Sequence, residues 1–208
     1  MSQEGYRVPA GCHRVEEVIR GSRFITTVDR ARTDVEARSR IEEIRSEFAD
    51  ATHNCWAYVT GPPGDTARIG MSDDGEPHGT AGRPMLETLL HGEVGEICAV
   101  VTRYYGGTKL GRGGLGRAYA GGVNLALASL PTTLRVERVR VRVEVDYAAV
   151  DPLLRHLGEV GARKEEEAYG ARVSLVVAVP KGHLANLERR VADWTSGSGR
   201  VERVRPDS

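Results

Sequence analysis

The chain has 208 residues, of which 40% are hydrophobic and 28% are charged, and its formal net charge is zero. This composition is typical of a globular protein with room for two domains, and it excludes a globally basic nucleic-acid binder. The N-terminus has no signal-peptide pattern, and no run approaches the ~20 apolar residues of a membrane span. The three cysteines, Cys12, Cys55 and Cys98, lack the spacing of a disulfide framework or a zinc site. We therefore expect a reduced, cytoplasmic protein with no membrane partner.

A strand pair and a helix are predicted first. His13–Ile19 and Ser22–Val28 are rich in β-branched residues and flank Gly21, which indicates a hairpin. Thr33 and Glu36 then form a capping box, and the apolar residues behind it recur at helical spacing. The pattern predicts an amphipathic helix from about Asp34 to Ala49.

A second strand, a long loop and a short helix follow. Cys55–Thr60 is strand-like and ends at a Gly-Pro-Pro-Gly turn, and Ala67–Met71 resumes an extended run. Turn-forming residues fill Ser72–Gly82. Pro84 suits the first turn of a helix, and Gly92 suits its C-terminal end.

The stretch Ile97–Gly122 runs from an apolar strand through a glycine-dense turn into a helix, and no Asp or Glu occurs between Glu96 and Glu137. A basic, glycine-lined junction of this kind presents backbone N–H groups and a helix N-terminus to an anion. We therefore predict an anion-binding or nucleic-acid-binding site. Its candidate residues are Arg103, Tyr104, Tyr105, Gly106, Gly107, Lys109, Gly111, Arg112, Gly113, Gly114 and Arg117.

The aromatic residues of this stretch leave two interpretations open. Phosphate contacts by arginine, combined with base stacking on Tyr104 and Tyr105, would be typical of single-stranded RNA binding. Alternatively, the tyrosines pack on a sheet and the arginines are merely solvated. Strand alternation sends the two tyrosines to opposite faces.

The helix after the turn carries an unusual pair, Gly121 and Gly122, which cost about 1 kcal/mol each relative to alanine. Close packing of this helix on a sheet is the simplest compensation. Gly111–Gly116 satisfies G-x-G-x-x-G literally, but residues 104–110 separate it from the strand, and no P-loop sequence is present. We expect no cofactor.

The loop before this stretch supplies acidic residues with three alternative roles. They could bind a hard cation or act in acid–base catalysis, although no spacing matches a known metal loop. They could simply form a tight turn, which we favour, or face the basic loop and hold it in place. We predict neither a metal site nor a catalytic residue. The candidate residues of this acidic loop are His53, Asp73, Asp74, Gly75, Glu76, Gly79 and Thr80.

The pattern changes at Pro131-Thr132-Thr133, which we take as the boundary between domains 1–131 and 132–208. Beyond it, an alternating strand over residues 136–145 is followed by a helix, a hairpin around Gly170, another helix and a final strand. This β-α-β-β-α-β order is the ferredoxin-like arrangement, and about 70 residues suit such a domain.

The sequences SDDGEPHGTAGRPML (Ser72–Leu86) and VVTRYYGGTKLGRGGLGRAYAGG (Val100–Gly122) closely resemble the signature of the YigZ/IMPACT family. The SRFI and HNCWAY runs at Ser22 and His53 also resemble blocks of that family. The resemblance implies an α+β protein of two domains. Its N-terminal α/β sandwich would be similar to domain IV of elongation factor G and to the second domain of a small-subunit ribosomal protein, and its C-terminal domain would be similar to the ferredoxin-like domain V of that factor.

Eukaryotic members of the family regulate translation through a protein partner, which we do not carry over to this chain. Our hypothesis is a non-enzymatic RNA- or ribosome-associated factor linked to translation regulation, with a protein partner of the translation machinery as a further expectation. Two alternatives are an enzyme or binding protein for a small phosphorylated ligand in the same cleft, and a protein-interaction module.

Overall fold

The computed structural model describes residues 5–204 and contains two compact units, of which the first spans Tyr6–Arg135 and the second begins at Val136. Both units combine helices with antiparallel sheets, so the expected α+β class is confirmed. Within the described range, no helix combines the length and apolarity needed to cross a bilayer.

The first unit is built on a five-stranded antiparallel sheet, with a separate strand pair formed by the ends of the unit. Its strands are β1 (Tyr6–Pro9), β2 (His13–Ile19), β3 (Ser22–Arg30), β4 (His53–Val59), β5 (Ile69–Ser72), β6 (Ile97–Tyr104) and β7 (Thr132–Arg135). Its helices are α1 (Asp34–Glu47), α2 (Gly82–His91) and α3 (Arg112–Ser129). The strand order in the large sheet is β2-β3-β6-β4-β5.

The helices cover both faces of this sheet. On one face, α1 packs Ala37 and Ile41 against Tyr58 and Val100. On the other face, α2 and α3 build the larger core, in which Met85 and Tyr119 are fully buried. The central strand β6 is therefore buried on both sides from Ile97 to Arg103, and Tyr104 is half-buried. Burial on both faces explains why residues 97–101 are continuously apolar.

The predicted hairpin and first helix are confirmed with small shifts in their bounds. Strands β2 and β3 pair from His13 to Val28 across the turn at Gly21. At the start of α1, the Thr33 hydroxyl accepts the Glu36 amide at 3.2 Å. The Glu36 carboxylate accepts the amide of Arg32 at 2.8 Å, one residue earlier than an ideal capping box.

The strand β7 belongs to the first unit, although the boundary at residue 131 placed it in the second domain. It pairs antiparallel with β1, with Tyr6 opposite Arg135 and Pro9 opposite Thr132. The Tyr6 hydroxyl donates to Glu96 at 2.8 Å, and the Arg135 guanidinium pairs with the same carboxylate at 2.5 Å. The compact unit accordingly extends through Arg135.

The second unit is a four-stranded antiparallel sheet with two helices, in the order β-α-β-β-α-β that the sequence predicts. The strand order β11-β8-β10-β9 is that of a ferredoxin-like fold. Val143, Leu153, Leu175 and Leu187 lie in its core. The elements are β8 (Arg138–Val145), α4 (Val150–Glu159), β9 (Arg163–Tyr169), β10 (Val173–Pro180), α5 (Leu184–Trp194) and β11 (Arg200–Arg203), with short 3-10 turns before both helices.

The glycine pair of α3 sits where the helix crosses the sheet. A Cβ on Gly122 would collide with the Thr26 side chain of β3, whereas a Cβ on Gly121 would find its nearest neighbour, Glu17 Oε1, at 4.0 Å. Close packing therefore requires the glycine at position 122 but not the one at position 121.

We expect Gly122→Ala to destabilise the protein by about 1–3 kcal/mol, because Thr26 or the helix must shift to admit the methyl group. Gly121→Ala should instead stabilise it by as much as ~1 kcal/mol through helix propensity alone. Urea unfolding of the two variants measures this difference. Equal effects of the two substitutions would contradict the packing argument.

A second prediction concerns Glu17 on β2, whose Oε1 atom is buried without a hydrogen-bond partner among residues 5–204. Burial raises the pKa of this carboxyl above its ordinary value. The folded state therefore favours the protonated form, and the wild type loses stability as the pH rises from the ordinary carboxyl pKa through the raised one.

Glu17→Gln should match the wild type in stability below about pH 4 and exceed it at neutral pH. Thermal unfolding across that range tests this expectation. The neighbouring Glu16 is the matched control, since its pKa is lowered by a hydrogen bond from Arg23. Glu16→Gln should give no gain at neutral pH, and a gain equal to that of Glu17→Gln would refute the assignment.

Candidate anion-binding site

Residues 105–111 connect β6 to α3 and are called the glycine loop below. Gly107 and Gly111 adopt positive φ angles of 85° and 72°, which favour glycine. The Gly106 amide donates to the Ser22 hydroxyl at 3.1 Å, and a Cβ on Gly106 would collide with the backbone of Gly21. The glycine loop is therefore clamped to the tip of the β2–β3 hairpin.

Three of the four predicted cations lie on the exposed side of this loop and on the first turns of α3. Lys109, Arg112 and Arg117 are exposed. Gly111 precedes α3 as its N-cap and has no side chain, so it makes no capping hydrogen bond to the amides of the first turn. Arg112 donates to the His78 carbonyl at 2.9 Å, which joins the start of α3 to the acidic loop.

Arg103, the fourth predicted cation, is not available to a phosphate, and its assignment as a ligand contact is corrected. Its side chain is 7% exposed, and its Nη1 atom donates to Glu76 Oε1 at 2.5 Å. The guanidinium carbon also lies 5.4 Å from the ring centroid of Phe24 and 5.5 Å from that of Tyr105. Arg103 is a core residue because β6 is covered on both faces.

Glu76, the partner of Arg103, accepts a hydrogen bond from a second donor. The Tyr119 hydroxyl on α3 donates to the same Glu76 oxygen at 2.8 Å. Nearby, the Cys55 thiol donates to the Asp73 carbonyl at 2.9 Å. Burial raises the pKa of Cys55 to about 12, and burial also raises the pKa of Tyr119. Both groups are therefore protonated donors at neutral pH, and Cys55 is an inert buried thiol.

The acids of the loop are likewise occupied. Asp73 accepts the backbone amides of Gly79 at 2.8 Å, Ala81 at 3.0 Å and Gly82 at 2.9 Å, and so caps the start of α2. Burial alone would raise the pKa of Asp73, but these amides and the nearby His78 hold it below its ordinary value. Among the described residues, no group of three or more His, Cys, Asp or Glu side chains is arranged to hold a metal ion.

The remaining acidic-loop residues support this turn. Asp74 has a φ of 42°, accepts the Asn54 amide at 2.7 Å and pairs with Arg45. Gly75 and Gly79 follow with φ angles of 88° and 74°. His53 donates through Nδ1 to the Asp74 carbonyl at 2.8 Å, and the Thr80 hydroxyl donates to the Pro77 carbonyl at 2.5 Å.

The two tyrosines have different surroundings, as strand alternation indicates. The Tyr104 hydroxyl donates to Asp50 at 2.8 Å, and the Arg23 guanidinium lies 5.6 Å from the centroid of its ring. Tyr105, just beyond the strand, is 48% exposed. Tyr105 is consequently the tyrosine with more ring surface open to a ligand.

One cation beside the glycine loop was missed. Arg20, at the tip of the β2–β3 hairpin, shares a cleft of about 200 Å³ with Arg117 and Gly114. The sequence holds no signal for this neighbour, because it depends on the pairing of β3 with β6, which places Arg23 opposite Tyr104. A larger cavity of about 540 Å³ lies between α1 and the end of β3 and is lined by none of the predicted site residues.

The buried pair generates a stability prediction. Arg103→Met should destabilise the first unit by about 3–5 kcal/mol, because it leaves the Glu76 carboxylate buried without its cation. Adding Glu76→Gln should recover part of that loss, which a double-mutant cycle in urea measures. Arg103→Met with wild-type stability and reduced anion binding would restore Arg103 as a ligand contact.

Two family models match separate parts of the chain. Residues 20–127 match the Impact N-terminal domain, and residues 143–198 match a domain of unknown function, DUF1949. A solved structure described as a hypothetical protein has 40% sequence identity and a TM-score of 0.69, and the match covers 99% of this chain and 100% of that one.

Curated relatives match over nearly their full length. The IMPACT family member YigZ of Escherichia coli is 44% identical over 94% of this chain and 96% of its own length. A family member from Haemophilus influenzae is 37% identical over 92% and 93%, and the member YvyE of Bacillus subtilis is 37% identical over 93% and 87%. With these matches and the expected two-domain architecture, the chain belongs to the IMPACT family.

Proposed function

We propose that this protein is a non-enzymatic, RNA- or ribosome-associated factor of the cytoplasm that acts in the regulation of translation. Single-stranded RNA would bind on the glycine loop and the first turns of α3. One observation carries the proposal. Lys109, Arg112 and Arg117 are exposed, and no carboxylate pairs with them within the part of the chain that the structure describes.

The distribution of charge between the two loops supports this role. Asp73 and Asp74 accept backbone amides, and Glu76 is turned into the core toward Arg103. The neighbouring acids therefore leave the exposed cations unneutralised. Unpaired cationic side chains attract the phosphates of a nucleic acid, and the counterions condensed on that nucleic acid are released when the two bind.

The backbone of the site favours close approach of a polyanion. A Cβ added at Gly107 or Gly111 would meet nothing within 4 Å, so the space above these residues is open. Tyr105 adds a half-exposed ring on which a base can stack. Phosphate contacts together with one stacking surface suit a single strand better than a duplex.

The rival interpretation, an enzyme acting on a small phosphorylated ligand, needs acids that are free to hold a cation or to transfer a proton. Asp73 instead accepts three backbone amides, and Glu76 Oε1 accepts hydrogen bonds from Arg103 and Tyr119 inside the fold. This supports a binding role. The analogy with domains of a translation factor adds only an association of fold with function.

Fluorescence anisotropy with a labelled single-stranded RNA at several salt concentrations tests the proposal. Three phosphate contacts should give a log–log salt slope of about −2, and Lys109→Gln combined with Arg112→Gln should reduce it to about −0.7. The matched control, Arg155→Gln with Arg189→Gln, removes the same charge from exposed positions of the second unit and should leave the slope unchanged.

Absence of RNA binding at low salt would refute the proposal. Capture of a protein partner that survives nuclease treatment, with no measurable RNA binding, would instead favour a protein-interaction module. An equal loss of slope in the control pair would show that the binding is a general effect of charge.

A further inference from the structure

The cleft beside the glycine loop joins two elements that are distant in sequence. It lies between the β2–β3 hairpin tip and the start of α3 and has a volume of about 200 Å³. We call it the arginine cleft. Its lining is Ile19, Arg20, Leu110, Gly114, Arg117 and Ala118.

Both arginines of this cleft have free guanidinium groups. In the described range, neither Arg20 nor Arg117 makes a side-chain hydrogen bond or ion pair. Most other arginines of the first unit are paired, as Arg14 is with Glu47 and Arg30 is with Glu96. The other lining residues are apolar or glycine, so the cleft offers two cations and no competing acid.

The position of Arg20 is fixed by the hairpin. Its φ angle is 48°, and the following Gly21 has a φ of 83°. The tip is clamped to the glycine loop, because the Gly106 amide donates to Ser22 and the Gly106 backbone packs directly on Gly21. The hairpin tip that carries Arg20 is therefore held against the loop that leads into α3, which carries Arg117.

We propose that the arginine cleft is a binding subsite for a single phosphate group and that Arg20 is a phosphate-binding residue. The guanidinium fork matches phosphate oxygens, and two forks can share one group. The volume is below the 300–1,000 Å³ of sites that enclose a whole small molecule, so a phosphate and part of its sugar fit while the base stays outside.

The phosphate has two sources, a phosphodiester of RNA or a phosphomonoester of a small compound. The first source rests on the proposed function, since the cleft would then hold a backbone phosphate of the strand on the glycine loop. The second does not. The experiment separates them by using a single-stranded RNA that lacks terminal phosphates as one probe and inorganic phosphate as the other.

The test is an NMR titration of the ¹⁵N-labelled full chain at constant ionic strength, with sodium chloride as the reference salt. Saturable shifts are expected at the Gly114 and Ala118 amides. In Arg20→Asn combined with Arg117→Gln, the affinity should fall at least about tenfold, as the loss of charged hydrogen bonds predicts. Asparagine tolerates positive φ, so the hairpin is preserved.

Two further variants serve as controls. Arg117→Gln alone replaces an exposed helical residue and should weaken binding without any change at the hairpin. The pair Arg155→Gln and Arg189→Gln repeats the charge change in the second unit and should bind as the wild type does.

Shifts with RNA that inorganic phosphate displaces would support the subsite with RNA as the source. Shifts with inorganic phosphate, but none with RNA, would support the subsite with a phosphomonoester and count against the proposed function. Absence of saturable shifts with both probes, or unchanged affinity in the Arg20→Asn/Arg117→Gln variant, would overturn the inference. RNA binding through Lys109 and Arg112 would then leave the proposed function intact.

Discussion

The ion pair between Arg103 and Glu76 connects the central strand of the first unit to four other parts of that unit. Arg103 lies on the central strand, Glu76 comes from the acidic loop, and the Tyr119 hydroxyl of α3 donates to the same carboxylate oxygen. On its other side, the Arg103 guanidinium lies 3.4 Å from the Ser22 hydroxyl that accepts the Gly106 amide. Because a buried charge without its partner is costly, the hairpin, both loops and α3 are held in one arrangement.

This pair also determines the character of the surface above it. Glu76 of the acidic loop pairs with Arg103 in the interior, and Asp73 accepts backbone amides at the start of α2. The cations of the glycine loop remain on the outside. Separation of charge between interior and surface gives a protein of zero net charge a local positive face.

Much of the fold could be predicted from local patterns. The capping box of α1, the stop at Gly92 and the alternation of Val141 and Val143 each depend on neighbours in sequence, and the structure contains all three. The strand Thr132–Arg135 was misplaced because its partner, Tyr6–Pro9, lies at the other end of the unit. No local pattern records that pairing.

Local sequence patterns likewise predict some parts of the candidate site and not others. The glycine loop and its exposed cations could be located from composition alone, since a run without acids is visible in the sequence. The burial of Arg103 could not be predicted, because a charged residue near the end of an apolar strand normally indicates an exposed position. Arg20 was missed since its place beside Arg117 depends on strand pairing across the whole sheet.

The central position of β6 has a consequence for how the chain is made. It separates β3 from β4, so those two strands have no partner on that side until residues 97–104 have been synthesised. Pairing over such a sequence separation delays closure of the sheet. During synthesis, the unpaired edges of β3 and β4 are therefore exposed to other chains. This exposure lasts while the ribosome adds roughly 40 more residues after β4, which takes a few seconds at typical elongation rates.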